Sequence, residues 1–400
     1  MNYTDNAFIL VCAALVMFMT PGLALFYGGL VRSKNVLATI MQSFIMLGLM
    51  SVLWAVIGYT LSFGSDLGGL IGGLDFLFLK GVGMTTAGSP ADNLPHLTFM
   101  IFQCMFAVIT PALISGAFAE RMKFGGFMVF SALWLILVYA PMCHWVWGGG
   151  WMGQMGALDF AGGAVVHMSS GAAALCCAIL IGKRKGHGST AFIPHNLPMT
   201  ILGAAILWFG WFGFNAGSAL AADGVAANAF VTTHMATAAA ALSWIVAEWM
   251  HGGKATTLGA ASGAVAGLVA ITPAAGFVTP MWAIVLGLGA GVLCYGGIML
   301  KNRFGYDDAL DVVGIHGLGG TYGALATGLL ATVGAEGLIA GNAHQLWVQF
   351  VSVVATWGFC FVMTFIIFKV VDATIGLRAS DAEQDKGMDI AEHSETGYQW

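Results

Sequence analysis

Charge is spread along this chain in a way that no water-soluble fold could use. Ten stretches carry no Lys, Arg, Asp or Glu at all: residues 7–31, 35–65, 93–119, 124–158, 160–182, 186–222, 224–247, 255–300, 312–335 and 337–368. Each is long enough to cross the hydrocarbon layer, which takes about 20 apolar residues as a helix. Charged residues make up 8% of the 400 and hydrophobic ones 58%, against roughly a quarter charged in ordinary soluble domains. So little charge cannot clothe a water-facing surface, and lipid is the expected solvent. In lipid every backbone N–H and C=O needs an internal partner, so the expected fold is an all-α polytopic membrane protein. No basic run exceeds Lys183-Arg184-Lys185, and nothing points to nucleic acid.

The stretch 255–300 is too long for one helix and is broken at Pro273, Gly276 and Pro280, so it reads as two; the total is eleven transmembrane helices. Lys and Arg orient them. Thirteen of the fourteen basic residues fall in the odd-numbered loops or the tail, and only Lys80 lies on the other side. The odd side is therefore expected to be cytoplasmic, with the N-terminus outside and the C-terminus inside. The first stretch has no basic residue before it and reads as a retained helix rather than a leader. A transmembrane domain over 1–372 is expected, followed by a cytoplasmic tail over 373–400. Gly263-x-x-x-Gly267 and Gly287-x-x-x-Gly291 suit close helix crossings. The seven cysteines form no C-x-x-C pair and read as buried free thiols.

Helices 1–5 and 6–10 form two groups of five, about 7–182 and 196–330, with helix 11 at about 346–372. Five is odd, so the second group starts from the opposite face, the layout of an inverted 5+5 repeat whose site is expected at the midplane. Ala157-Leu158-Asp159 leads to Val165-Val166-His167, and Ala309-Leu310-Asp311 leads to Val312-Val313-Gly314-Ile315-His316, although the Asp-to-His spacing differs by three. Depth is more telling. His167 lies eight residues inside Asp159, and His316 eight residues inside Asp308. At 1.5 Å per residue both lie about 12 Å deep from opposite faces, near the middle of a core about 30 Å thick. An ionisable residue at that depth is a functional candidate. The other eight histidines, His96, His144, His187, His195, His234, His251, His344 and His393, are expected to be structural or solvated.

Aromatic residues gather toward the outer ends. Helix 4 ends His144-Trp145-Val146-Trp147-Gly148, helix 6 ends Trp211-Phe212-Gly213-Phe214-Asn215-Ala216-Gly217-Ser218, and helix 3 carries Phe102 and Phe106 at i, i+4 on one face. Such rings can hold a cation, with a hydroxyl such as Ser218 accepting a hydrogen bond. Trp145 and Trp211 are assigned to an interfacial aromatic belt; Phe106 lies too deep for one.

These residues resemble the ammonium transporter family, Amt. The matching stretches are F-Y-G-G-L-V-R-S-K-N (26–35), A-E-R-M-K-F (119–124), V-W-G-G-G (146–150), A-L-D-F-A-G-G-A-V-V-H (157–167), P-H-N-L-P (194–198), W-F-G-F-N-A-G-S (211–218) and V-V-G-I-H-G (312–317). The resemblance covers nearly the whole chain and is closest to bacterial members. It implies a homotrimer in the cell (inner) membrane with one pore per subunit. It implies that Phe106, Trp147 and Ser218 form an outer recruitment site for ammonium, with methylammonium as an analogue. Phe106 and Phe214 would stack as a gate, and His167 and His316 would line the lumen. Asp159 matches an aspartate that supports the outer site by ordering backbone. Trp147 is usually missing from Rh-type relatives, and some fungal members carry Glu where this chain has His167. Ala164 departs from the Thr that bacterial relatives often carry. For the acidic tail the resemblance implies packing on the cytoplasmic face and docking of a PII-type signalling protein, where the plain reading is a solvated end.

Ammonium and potassium are too alike in size and charge to be sorted by radius. Stripping a bare cation into an apolar lumen costs far more than a few ring contacts return. Losing a proton separates them, because only ammonium can do so, and neutral ammonia then fits a narrow apolar pore. No cofactor and no enzyme activity are expected. The rival readings are a membrane cytochrome, an Rh-like gas channel, and an ammonium sensor, whose fused signalling domain would need more than the residues after Ala373.

Overall fold

The computed structural model describes residues 1–399, leaving aside the Asn302 side chain. The chain is mostly helical. Among the described residues nine helices are long and apolar enough to cross a membrane. These are α1 (Tyr3–Leu30), α2 (Ser33–Phe63), α3 (His96–Phe118), α4 (Phe124–Gln154), α5 (Gly163–Ile181), α6 (Leu197–Gly217), α7 (Gly224–Gly252), α9 (Pro280–Phe304) and α11 (Ala343–Thr374). Between them lie two shorter apolar segments, α8 (Thr257–Ile271) and α10, built from Val313–Gly317 and Leu318–Leu330. The expected break in 255–300 therefore falls between α8 and α9, where Pro280 takes the first helical position behind a Thr279 cap. Polar side chains satisfy the exposed first-turn amides elsewhere: Asn2 for α1, Asp223 for α7 and Thr256 for α8. A two-residue antiparallel hairpin, Asp66–Leu67 with Ile71–Gly72, folds the long α2–α3 loop.

Small residues bring the helices together. A Cβ on Gly203 of α6 would lie 2.3 Å from the backbone of Phe26 on α1, so only glycine permits that crossing. At Gly171 of α5 a Cβ would lie 2.2 Å from Gly317 of α10. The two G-x-x-x-G pairs act as expected: Gly263 and Gly267 meet Trp244 and Ala240 of α7, and Gly287 and Gly291 meet Ala236 and Ser243 of the same helix. Four wide i→i+5 turns interrupt the ladders at Trp54–Gly58, Leu135–Tyr139, Gly163–Met168 and Val313–Gly317. The last two carry His167 and His316; such turns are frequent at functional positions. All seven cysteines are buried free thiols.

The tail is packed, not a loose solvated end. Two short helices, α12 (Asp381–Lys386) and α13 (Met388–His393), lie against the basic face. Asp389 accepts the Ala38 amide at 2.8 Å, Glu392 accepts the Phe124 amide at 3.0 Å, and Lys34 donates to the carbonyls of Gln384 and Asp385. Arg378 donates to the carbonyls of Ile181 and Lys183.

Candidate functional site: an aromatic mouth above paired histidines

Opposite the basic face the helices part to form a vestibule of about 320 Å³, lined among others by Phe99, Gln103, Phe106, Trp147, Phe160 and Ser218. Asp159 organises its floor. One carboxylate oxygen accepts the amide of Gly162 at 2.9 Å and that of Gly163. The other accepts Ala164 at 2.8 Å and Val165 at 3.3 Å. A carboxylate at a helix start satisfies the unpaired amides and the positive dipole end together. Gly162 makes the turn at φ +115°, where a side chain would be strained. The Asp159 carbonyl accepts the Trp147 indole N–H at 3.0 Å, which fixes that ring at the rim.

Below the rim Phe106 and Phe214 pack with ring centroids 4.4 Å apart and a 41° tilt, and Trp147 stands edge-on to Phe106 at 5.8 Å. The Ser218 hydroxyl donates to the Phe214 carbonyl at 2.8 Å, leaving its lone pairs for the vestibule. Under the two phenylalanines lies His167, parallel to Phe214 at 6.0 Å, and under it His316 at 5.2 Å. The two Nδ1 atoms are 3.1 Å apart. That contact needs one donor and one acceptor, so the pair shares a single proton on those atoms. The lumen around them is otherwise apolar, with Leu23, Phe26, Leu113 and Val265 in its wall. Room for the centres of water-sized molecules totals only about 10 Å³, roughly that of one water.

The structure brings Phe106, Trp147, Phe214, Ser218, His167 and His316 into one line, with Asp159 beneath Trp147. It corrects three sequence readings. Trp211 is no interfacial belt residue: it is 2% exposed, stacks on His167 at 5.3 Å and donates to Thr272 at 2.9 Å. Trp145 is also buried, packed on Trp151 and Phe359, with its N–H on the Leu70 carbonyl. The A-L-D match also pairs the wrong residues. Asp311 stands at φ +61° and forms an ion pair with Lys301. The contact that Asp159 makes with Ala164 is repeated by Asp308, whose carboxylate accepts the Val313 amide five residues on. His96 and His144 are structural, as expected: His96 bonds Tyr59 at 2.6 Å, and His144 bonds Asp66 and the Ser62 carbonyl. Sequence reasoning missed Gln103 and Phe99 at the vestibule. Their spacing of three and seven before Phe106 places them on its helical face, while Phe102, whose ring packs on Phe106 at 5.0 Å, lies close to Gly217.

A bundle of membrane-length helices around a narrow apolar conduit with an aromatic mouth defines a membrane transporter. The Ammonium Transporter Family profile matches residues 7–398, and the chain belongs to that family. It is 55% identical to the ammonium transporter of Bacillus subtilis, over 100% of this chain and 99% of that one. It is 49% identical to ammonium transporter Amt1 of Archaeoglobus fulgidus, over the full length of both. Among solved structures it superposes on Candida albicans Mep2 with a TM-score of 0.91, at 35% identity, covering 96% of this chain and 88% of that one. It matches a sensor Amt protein with the same score, at 29% identity and 98% coverage of each.

Proposed function

We propose that the protein carries ammonium across the cell membrane as ammonia plus a proton. The observation that carries this reading is the stack of Phe106 and Phe214 directly above the His167–His316 pair in an otherwise apolar lumen. Phe106, Trp147 and Ser218 receive the cation at the outer mouth, where ring faces and a hydroxyl offset part of its lost hydration. The two phenylalanine rings close the way to any hydrated ion. A cation inside would have no countercharge among the residues lining the lumen, so passage favours ammonia after proton loss. The histidines then offer ammonia a donor and an acceptor along the conduit, and a place to hold the proton left behind. Asp159 supports the mouth through the Trp147 bond and the α5 start.

The wider reading is eleven transmembrane helices, N-terminus outside and C-terminus inside, arranged as an inverted 5+5 repeat plus a last helix. The like-placed carboxylates of Asp159 and Asp308 and the α1–α6 and α5–α10 glycine crossings support the repeat. By family likeness it works as a homotrimer in the inner (plasma) membrane, and its cytoplasmic face takes a PII-type signalling protein. The match to a sensor Amt protein favours a second reading, in which the same site binds ammonium and reports it.

Current recording on proteoliposomes separates the two. Wild type should carry an ammonium-driven current and reject potassium. His167→Ala with His316→Ala should abolish that selective current in a protein that still folds, and His167→Asp should admit potassium. A double variant behaving as wild type would make the histidines structural; no current from wild type would favour the sensor.

A further inference from the structure

One polar side chain in the vestibule has no role in that reading. Gln103 stands on α3 between Phe99 and Phe106, facing the same opening. It is 7% exposed, its amide oxygen is buried without a partner, and among the described residues its side chain makes no hydrogen bond. A buried amide left unpaired is expensive and rare. Here it borders a cavity whose other side-chain oxygen among the lining residues is that of Ser218, while the Trp147 N–H is committed to the Asp159 carbonyl. Among the described residues, no carboxylate and no basic side chain lines the cavity. Two neutral oxygens with the faces of Phe106 and Trp147 suit a small cation bearing several N–H donors.

We propose that Gln103 is a second hydrogen-bond acceptor for the cation at the outer mouth and that it sets the preference for ammonium over alkylated ammonium. The proposal rests on the recruitment reading of the mouth. Ammonium has four tetrahedral N–H groups, which two oxygens and two ring faces can all engage. Methylammonium has three, and its methyl group must face an apolar wall. Replacing Gln103 by leucine removes one acceptor and adds such a wall, so ammonium loses more than its methylated analogue.

The test is current or uptake against concentration for ammonium and methylammonium, on wild type, Gln103→Leu, Gln103→Glu and Trp147→Leu in proteoliposomes. Gln103→Leu should raise the half-saturating ammonium concentration about tenfold, the scale of one hydrogen bond to a charged group. The rise for methylammonium should be clearly smaller. Gln103→Glu keeps an acceptor and should hold or lower the ammonium value; a purely packing role would make it at least as damaging as leucine, and that result overturns the proposal. An unchanged ammonium curve for Gln103→Leu, or an equal shift for both cations, also overturns it. If Trp147→Leu shifts its curve meanwhile, the outer site stands and only Gln103 falls; if neither variant shifts, both readings fall. Should the leucine variant fail to fold, Gln103→Met is read in its place against the same outcomes.

Discussion

The two mouths of this protein are built on opposite electrostatic plans. The vestibule side is lined by aromatic faces and the uncharged side chains of Gln103 and Ser218. The basic side is closed by charges already matched to one another. Arg32 pairs with Glu120 at 2.8 Å, and Arg184 pairs with Asp307 at 2.8 Å and reaches Glu120 at 3.5 Å. Phe192 lies under both guanidinium groups, at 4.7 and 4.2 Å. Burial alone would raise the pKa of Glu120 and Asp307, but their arginines outweigh it and hold both below the usual carboxylate range. On the proposed reading a cation arriving at the vestibule meets ring faces and the uncharged Ser218 oxygen, whereas one arriving on the basic side meets acceptors already taken. The same contrast runs through the two helix-start carboxylates. Asp159 takes four backbone amides and anchors Trp147. Asp308 has one carboxylate oxygen without a partner, and burial pushes its pKa up to about 6.

Breaking the vestibule side should cost most. Asp159→Ala releases the start of α5 and the Trp147 anchor at once, and transport should fall by about 100-fold, the scale expected when a site is displaced by an ångström. Asp308→Asn, which keeps an acceptor for Val313, should stay within threefold of wild type (about half a pKa unit of effect). Equal losses in a flux assay would erase the distinction between the two starts.

Next in size is the matched network. Arg184→Ala leaves Asp307, 1% exposed, without its main partner, and should destabilise the fold by about 3–5 kcal/mol. Lys185→Ala, which loses only the solvent-exposed pair with Asp385, should leave the unfolding temperature unchanged. Thermal unfolding in detergent measures both, and a similar drop for the two would contradict the buried-network account.

The smallest effect concerns pH. A carboxylate with a folded pKa raised above its unfolded value favours folding when protonated; that contribution is complete at low pH and is lost as pH rises through about 6. Between pH 7 and 5 the Asp308 share should therefore add about 1 kcal/mol. Glu120 and Asp307, shifted the other way, stay ionised across this window. Asp308→Asn should remove that share, seen as a smaller gain on acidification than wild type. An identical pH profile for the two proteins would refute it.

Much of this was legible beforehand, for definable reasons. Spans are legible because lipid forbids charge over some 20 residues at a time, and the depth of His167 and His316 follows from the fixed rise of a helix. What was illegible depends on which face of a helix looks inward. Trp211 reads as a belt residue because its position near a helix end is all that sequence displays; that it lies over His167 is decided by how α6 rotates against α1. Gln103 is hidden for the same reason: it is one of several polar residues in a helix that is almost wholly buried. The A-L-D match does not extend to contacts, because Asp311 is held in an ion pair with Lys301 while Asp308 bonds the helix start.

The crossing of Gly171 against Gly317 has a consequence for how the conduit turns over. The second glycine follows His316 directly, and the first lies one helical turn beyond His167, so the same contact that lets the two helices touch also sets the spacing of the imidazoles. Backbones this close have no slack to rock or slide without collision. A carrier that swings between two open states would have to part this crossing on every cycle, which the proposed conduit does not require. On the proposed reading a small solute and a proton would hop past a stationary framework, and the current should rise only gently on warming, as in a pore, rather than steeply, as in a rocking machine.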